Sequence, residues 1–91
     1  MNDNTKLKVR VTASDILLAQ ANPKFCPIER ATARAAGVPL SSVRAGRGTI
    51  MAFGKHYHTP LGAQTFITRF DGRDSVEPFE FEAHSAVMGR L

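Results

Sequence analysis

The two ends of this chain each carry a segment with one apolar and one charged face, and the charges are opposite in sign. Leu7, Val9 and Val11 alternate with Lys6, Lys8 and Arg10 over Lys6–Thr12, and Phe79, Phe81 and Ala83 alternate with Glu80 and Glu82 over Pro78–Ala83. Alternation with period two puts successive side chains on opposite faces of a strand, so each segment offers one face to a core and one to water. Set side by side, the outward Lys6, Lys8 and Arg10 would meet the outward Glu80 and Glu82. Such cross-strand pairs contribute roughly 0.2–1 kcal/mol each, enough to favour that pairing but not to create it.

Helical signals lie between the two strands. Thr12-Ala13-Ser14-Asp15 has the form of a capping box ahead of a short helix through Ile16, Leu17 and Leu18, and Asn22-Pro23 stops it. Pro27 suits the first position of a second helix, with Ile28, Ala31 and Ala35 as a narrow apolar stripe and Gly37 as its left-handed terminator. Arg30 and Arg34 are four apart on that helix and share one face. From Ser41 to Thr59, Val43, Ile50, Met51, Phe53 and Tyr57 are strand formers punctuated by Gly46, Gly48 and Gly54. They predict two or three short antiparallel strands, with turns near Gly46-Arg47-Gly48 and Gly54-Lys55. Thr59-Pro60 is expected to cap a third helix, whose apolar set is Ala63, Phe66, Ile67 and Phe70, and Asp71-Gly72 to end it. The expected fold is a small α+β single domain over residues 1–91, with a mostly antiparallel sheet of four to five short strands and two to three helices on one side. The ordered core is expected over residues 6–83, with 84–91 as a loose tail.

A chain of 91 residues supports one modest core. No run of about 18 apolar residues is present, which predicts no membrane span. Met1–Lys8 is polar and has no apolar segment of a secretory signal. Cys26 is the single cysteine. A small secreted domain generally relies on paired cysteines, so a cytoplasmic setting is expected. The charge is uneven. Residues 1–55 hold nine Lys or Arg against three acids, a net +6, and residues 56–91 hold three against five, a net −2. That asymmetry predicts one face that attracts anions.

Catalytic motifs are lacking. There is no nucleophile elbow, Walker loop or dinucleotide fingerprint, and Asp71, Asp74 and Glu77 surround a turn, where acids are ordinarily solvated. Nothing near Cys26 in sequence supplies a base, which makes it a small buried apolar group. His56 and His58 share one face of a strand, but a zinc site needs further ligands, and only Cys26 and His84 could provide them. No enzyme activity, catalytic residue, cofactor, metal or small-molecule substrate is expected.

Two resemblances bear on function. Residues 29–44, from Glu29 through Arg34, Gly37 and Val38 to Arg44, resemble the helix-turn-helix of bacterial repressors. This implies a recognition helix presenting Leu40, Ser41, Ser42 and Arg44 to base edges, and hence a sequence-specific transcriptional regulator. Cys26-Pro27-Ile28 with Arg30-Ala31 and Arg34-Ala35-Ala36-Gly37, then Phe66–Asp71 and Val76–Phe81, resemble small proteins carried by bacteriophages and prophages. That broader resemblance, over residues 8–83, implies a non-enzymatic inhibitor in a bacterial host. Some phage proteins of this size are anti-CRISPR inhibitors that bind a guide-RNA surveillance complex and block its target DNA. The leading expectation is therefore docking on a nucleoprotein or nucleic acid, with the helix-turn-helix regulator as the alternative. Arg30 and Arg34 would form a ridge extended by Arg44, Arg47 and Lys55, with Lys24 and Tyr57 completing the partner-binding set. Tyr57 or Phe53 would stack on a splayed base, with core packing the leading role for Phe53. Reversing Arg30 and Arg34 to glutamate is expected to abolish binding with thermal melting nearly unchanged.

Overall fold

The first and last strands are neighbours. In the computed structural model, which describes residues 6–22 and 24–86, β1 (Lys6–Val11) pairs antiparallel with β5 (Phe79–His84). Its register sets Lys8 opposite Glu82 and Arg10 opposite Glu80. Arg10 Nε lies 3.0 Å from Glu80 Oε2. The inward residues of this pair are Val9, Val11 and Ala83, all buried, with Leu7, Phe79 and Phe81 half-buried.

The capping box at Thr12 is formed. Asp15 N–H donates to Thr12 Oγ1 at 3.1 Å and Thr12 N–H donates to Asp15 Oδ2 at 2.9 Å, which starts α1 (Ala13–Ala21). Helix α2 (Pro27–Ala36) begins with Pro27 and ends at Gly37, whose φ of 69° is left-handed. There Val38 N–H donates to Ala33 O at 3.0 Å. The buried residues of α2 include Ile28, Ala31, Thr32 and Ala33, whereas Ala35 is exposed. The last turn of α2 opens onto a cleft at one end of the sheet instead of continuing the apolar stripe.

A 3₁₀ turn at Leu40–Ser42 leads into a meander of β2 (Val43–Ala45), β3 (Thr49–Ala52) and β4 (Lys55–His58). Gly46 N–H donates to Thr49 O at 2.9 Å, which puts Arg47 and Gly48 at the apex of the first turn. Glu29, buried on α2, accepts from its own helix start at Cys26 N–H (3.0 Å) and from Ala45 N–H (2.9 Å). The edge strand β2 is thereby tied to α2, and its otherwise unpaired N–H is satisfied. The fold is α+β, with three helices and antiparallel sheets of two and three strands. An isolated bridge links Tyr57 of β4 to Ser85, the residue after β5, between the two sheets.

Helix α3 (Leu61–Asp71) buries Ala63, Phe66 and Ile67. Phe66 stacks on Phe79 with centroids 5.0 Å apart, joining α3 to β5. Thr59 does not cap this helix. Pro60 is the residue ahead of it, and the Thr59 hydroxyl donates to Gly46 O at 2.7 Å, closing the meander. The expected tail is partly structured: β5 runs through His84, and Ala86, buried, donates its N–H to His56 O at 2.9 Å. Residues 87–91 of that expectation lie outside the described residues. No helix among the described residues is long and apolar enough to cross a membrane.

Candidate nucleic-acid interface

Strand alternation separates the charged side chains from the core. Inward positions of the meander, Val43, Ile50, Ala52 and Tyr57, join the hydrophobic cluster beneath the helices. Outward positions are Arg44 on β2, Thr49 and Met51 on β3, and His56 and His58 on β4. Register places Arg44 opposite Met51, and Met51 opposite His56. They lie on the solvent-facing side of the three-stranded sheet.

The two sheets differ electrostatically. On β1 and β5 two cations are compensated: Arg10 is paired with Glu80 and Lys8 faces Glu82, while Lys6 faces His84. The β2–β4 half has no such compensation. Residues 30–70 include six Lys or Arg and not one Asp or Glu. Arg44 donates only to backbone carbonyls, Val43 O at 2.9 Å and Ser41 O at 3.5 Å. Arg47, at its turn, makes one long hydrogen bond to Thr68 Oγ1 at 3.4 Å. Lys55, opposite the inward Ala52 in the register, lies on the other side of β4 with Tyr57, where it borders the cleft beside α2, is exposed and forms no ion pair among the described residues. Neutral partners leave a cation's field intact, so this half presents net positive charge to solvent.

The expected ridge is not continuous, because Arg34 has an internal task. Its guanidinium straddles the Asp15 carboxylate, Nη1 to Oδ1 at 2.9 Å and Nη2 to Oδ2 at 2.7 Å, and Nη2 also donates to Arg10 O at 2.8 Å. Arg34 therefore locks α2 to the start of α1 and the end of β1. Arg30 is half-buried beside it, with Nε buried and unpartnered among the described residues. Lys24 lies in the α1–α2 loop with Nζ 5.7 Å above the Phe25 ring. Arg44, Arg47 and Lys55 are the members of the set brought to the meander.

The two aromatic expectations exchange places. Tyr57 is 6% exposed and belongs to the core, whereas Phe53 is 68% exposed at the β3–β4 turn. Alternation decides this: Tyr57 pairs with the inward Ile50, and Phe53 lies past the strand end. The helix-turn-helix expectation also fails structurally. Leu40–Ser42 is a single 3₁₀ turn and Val43–Ala45 is a strand, so no recognition helix exists. Val43, fully buried, is held extended by pairing opposite Ala52, and the glycine-flanked turn folds the chain back before a helix could form.

His56 and His58 share the outward side of β4, but no group of three His, Cys, Asp or Glu suited to a metal ion occurs among the described residues. Burial pushes the Cys26 thiol up to about 11, with the Glu29 and Asp71 carboxylates acting in the same direction against backbone hydrogen bonds that act the other way. A thiol raised this far is almost wholly protonated near neutrality and is a poor nucleophile. Iodoacetamide at pH 8, followed by mass spectrometry, is expected to alkylate Cys26 about 100-fold more slowly in the folded chain than in urea, in proportion to thiolate. A ratio below tenfold would contradict this environment.

The fold and this face define a small α+β domain with an open, acid-free basic half-sheet. No family model matches the chain, and no curated protein or solved structure matches it at significance.

Phe53, His56 and His58 are all exposed on the meander. The acid-free stretch from residue 30 to residue 70 contains the whole meander together with most of α2 and α3.

Proposed function

We propose that this chain is a non-enzymatic binding protein that docks through its β2–β4 face on nucleic acid within a nucleoprotein complex. The observation that carries this reading is the contrast between the two sheets. Arg44, Arg47 and Lys55 belong to a meander without a carboxylate, while Lys8 and Arg10 of β1 face Glu82 and Glu80. Internal complementarity uses the second group. The first has no intramolecular purpose of that kind, and a phosphate backbone is the anion array that fits it.

The resemblance to phage-borne small proteins favours the finer version of this reading. The chain would be an inhibitor acting in the cytoplasm of a bacterial host, covering a guide-RNA surveillance complex where target DNA normally enters, as an anti-CRISPR protein does. The extended conformation of Val43–Ala45 also favours a docking protein over a regulator that reads a duplex with a helix.

Fluorescence anisotropy with labelled 20-nucleotide duplex and single strands, from 50 to 200 mM salt, tests it. If three phosphates are engaged, the logarithm of affinity falls with a slope of about −2 to −3, which is a loss of roughly 15- to 60-fold over that range. Binding that is indifferent to salt would remove the basic-face reading.

A further inference from the structure

We propose that Phe53 and the lysine-lined cleft beside it form a stacking site for an unpaired nucleobase, making single-stranded nucleic acid the ligand of the β3–β4 apex. This rests on the reading of the basic face given above and specifies its ligand.

The backbone supplies the first reason. Ala52 and Lys55 are paired, so Phe53 and Gly54 form a two-residue hairpin loop, and both have positive φ, 48° and 85°. This is the geometry of a type I′ turn, in which Asn-Gly is the favoured pair and a bulky side chain at the first position is strained. A phenyl group in such a position costs folding stability, and its 68% exposure means that core burial does not offset the cost. A strained, exposed side chain held by a well-paired hairpin points to a role outside the fold.

The surroundings supply the second reason. A cleft of about 380 Å³ lies between this apex and the last turn of α2. Its apolar lining includes Leu7, Ala36 and Val38, its charged residues are Lys6 and Lys55, and no carboxylate among the described residues borders it. An aromatic face beside two ammonium groups matches a nucleotide, with a base to stack and phosphates on either side. An acidic peptide would satisfy the lysines and leave the ring unexplained. A duplex keeps its base faces stacked internally, so the ring can engage only an unpaired base.

The experiment compares Phe53→Asn with the native chain against a ten-nucleotide oligouridylate, an abasic phosphodiester strand of equal length, and poly-glutamate. Phe53→Asn restores the favoured turn pair, so melting is expected to be unchanged or raised, and folding is not at risk. Oligouridylate affinity is expected to fall about tenfold or more with its salt slope preserved, while the abasic strand is bound equally by both proteins. A Phe53→Trp variant gives the chain its sole tryptophan, and oligouridylate but not poly-glutamate is expected to quench its emission. Undiminished oligouridylate binding by Phe53→Asn, with the salt dependence intact, overturns the stacking site and leaves the basic face standing. Poly-glutamate competing as well as oligouridylate overturns it in favour of an acidic protein. Absence of any salt-dependent binding in the native chain removes the basic face first and this site with it.

Discussion

Arg44, Arg47 and Lys55 replaced together by glutamate are expected to abolish nucleic-acid binding while the protein stays folded. All three side chains are exposed, and none forms an ion pair among the described residues. Their hydrogen bonds are confined to backbone carbonyls of neighbouring residues and one long contact to a threonine hydroxyl. Substitutions at such positions usually stay within about 0.5 kcal/mol each, so melting should move by only a few degrees. The effect on the face is much larger. Each cation removed lowers the salt slope by about one, and each carboxylate introduced repels the phosphate it replaces contact with. The combined loss at 100 mM salt should be on the order of 100-fold or more, measured by anisotropy with the 20-nucleotide strands. Lys8→Ala is the matched control. Lys8 faces Glu82 across the β1–β5 pair, so its removal should change affinity by less than about threefold. A triple variant that bound as well as the native chain, or a Lys8→Ala change as damaging as the triple, would refute the assignment of the face to β2–β4.

Reversal of Arg34 is expected to do the opposite, unfolding the protein before it touches binding. The Asp15 side chain is 5% exposed, and Arg34 holds it with two hydrogen bonds while also satisfying Arg10 O. Three elements meet at this one guanidinium. Arg34→Glu sets a second carboxylate against a buried one and leaves Asp15 with only its cap bonds to Thr12. Breaking a buried pair by removing one partner costs about 3–5 kcal/mol, and the 53% exposure of Arg34 lets water recover part of that. A loss of about 2–4 kcal/mol remains, which lowers the melting temperature by roughly 10–25 °C in a domain of this size. The same change read only by a binding assay would be mistaken for a lost phosphate contact, so circular dichroism melting must accompany it.

The pH dependence of that defect follows from the same geometry. Burial acts to raise the Asp15 carboxyl, but the Arg34 guanidinium and the backbone and hydroxyl hydrogen bonds at Thr12 outweigh it and hold it below its ordinary value of 3.8. A carboxyl depressed in the folded state stabilises the fold above its unfolded value and loses that contribution as pH falls through the folded one. The gap in melting temperature between the native chain and Arg34→Glu should therefore be full near pH 7 and shrink below about pH 4. A gap that stays constant down to pH 2.5 would show that the Asp15 charge is not what Arg34 stabilises.

Local signals in the chain were sufficient for most of the fold. The alternation in β1 and β5 identified both strands and their outward charges, and the capping box, Pro27 and Gly37 marked helix ends that do not depend on distant partners. Each of these is a property of a few consecutive residues, so it survives in any fold that uses them. The segment Leu40–Arg44 was different. Its composition suits a helix as well as a strand, and only pairing opposite β3 and burial of Val43 make it extended.

The same division applies to the site. Which residues carry positive charge, and that none of the residues from 30 to 70 opposes them, is written in the sequence. Which of those charges are free is not. Arg30 and Arg34 are the same residue type as Arg44 and Arg47, yet Arg34 is taken up by Asp15, nineteen positions away, and Arg44 by nothing acidic among the described residues. Nor could the sequence separate Tyr57, turned inward by register, from Phe53, left outside by a two-residue turn. Charge and periodicity belong to the residues themselves, whereas freedom to meet a partner depends on which neighbours the tertiary fold brings within hydrogen-bonding distance.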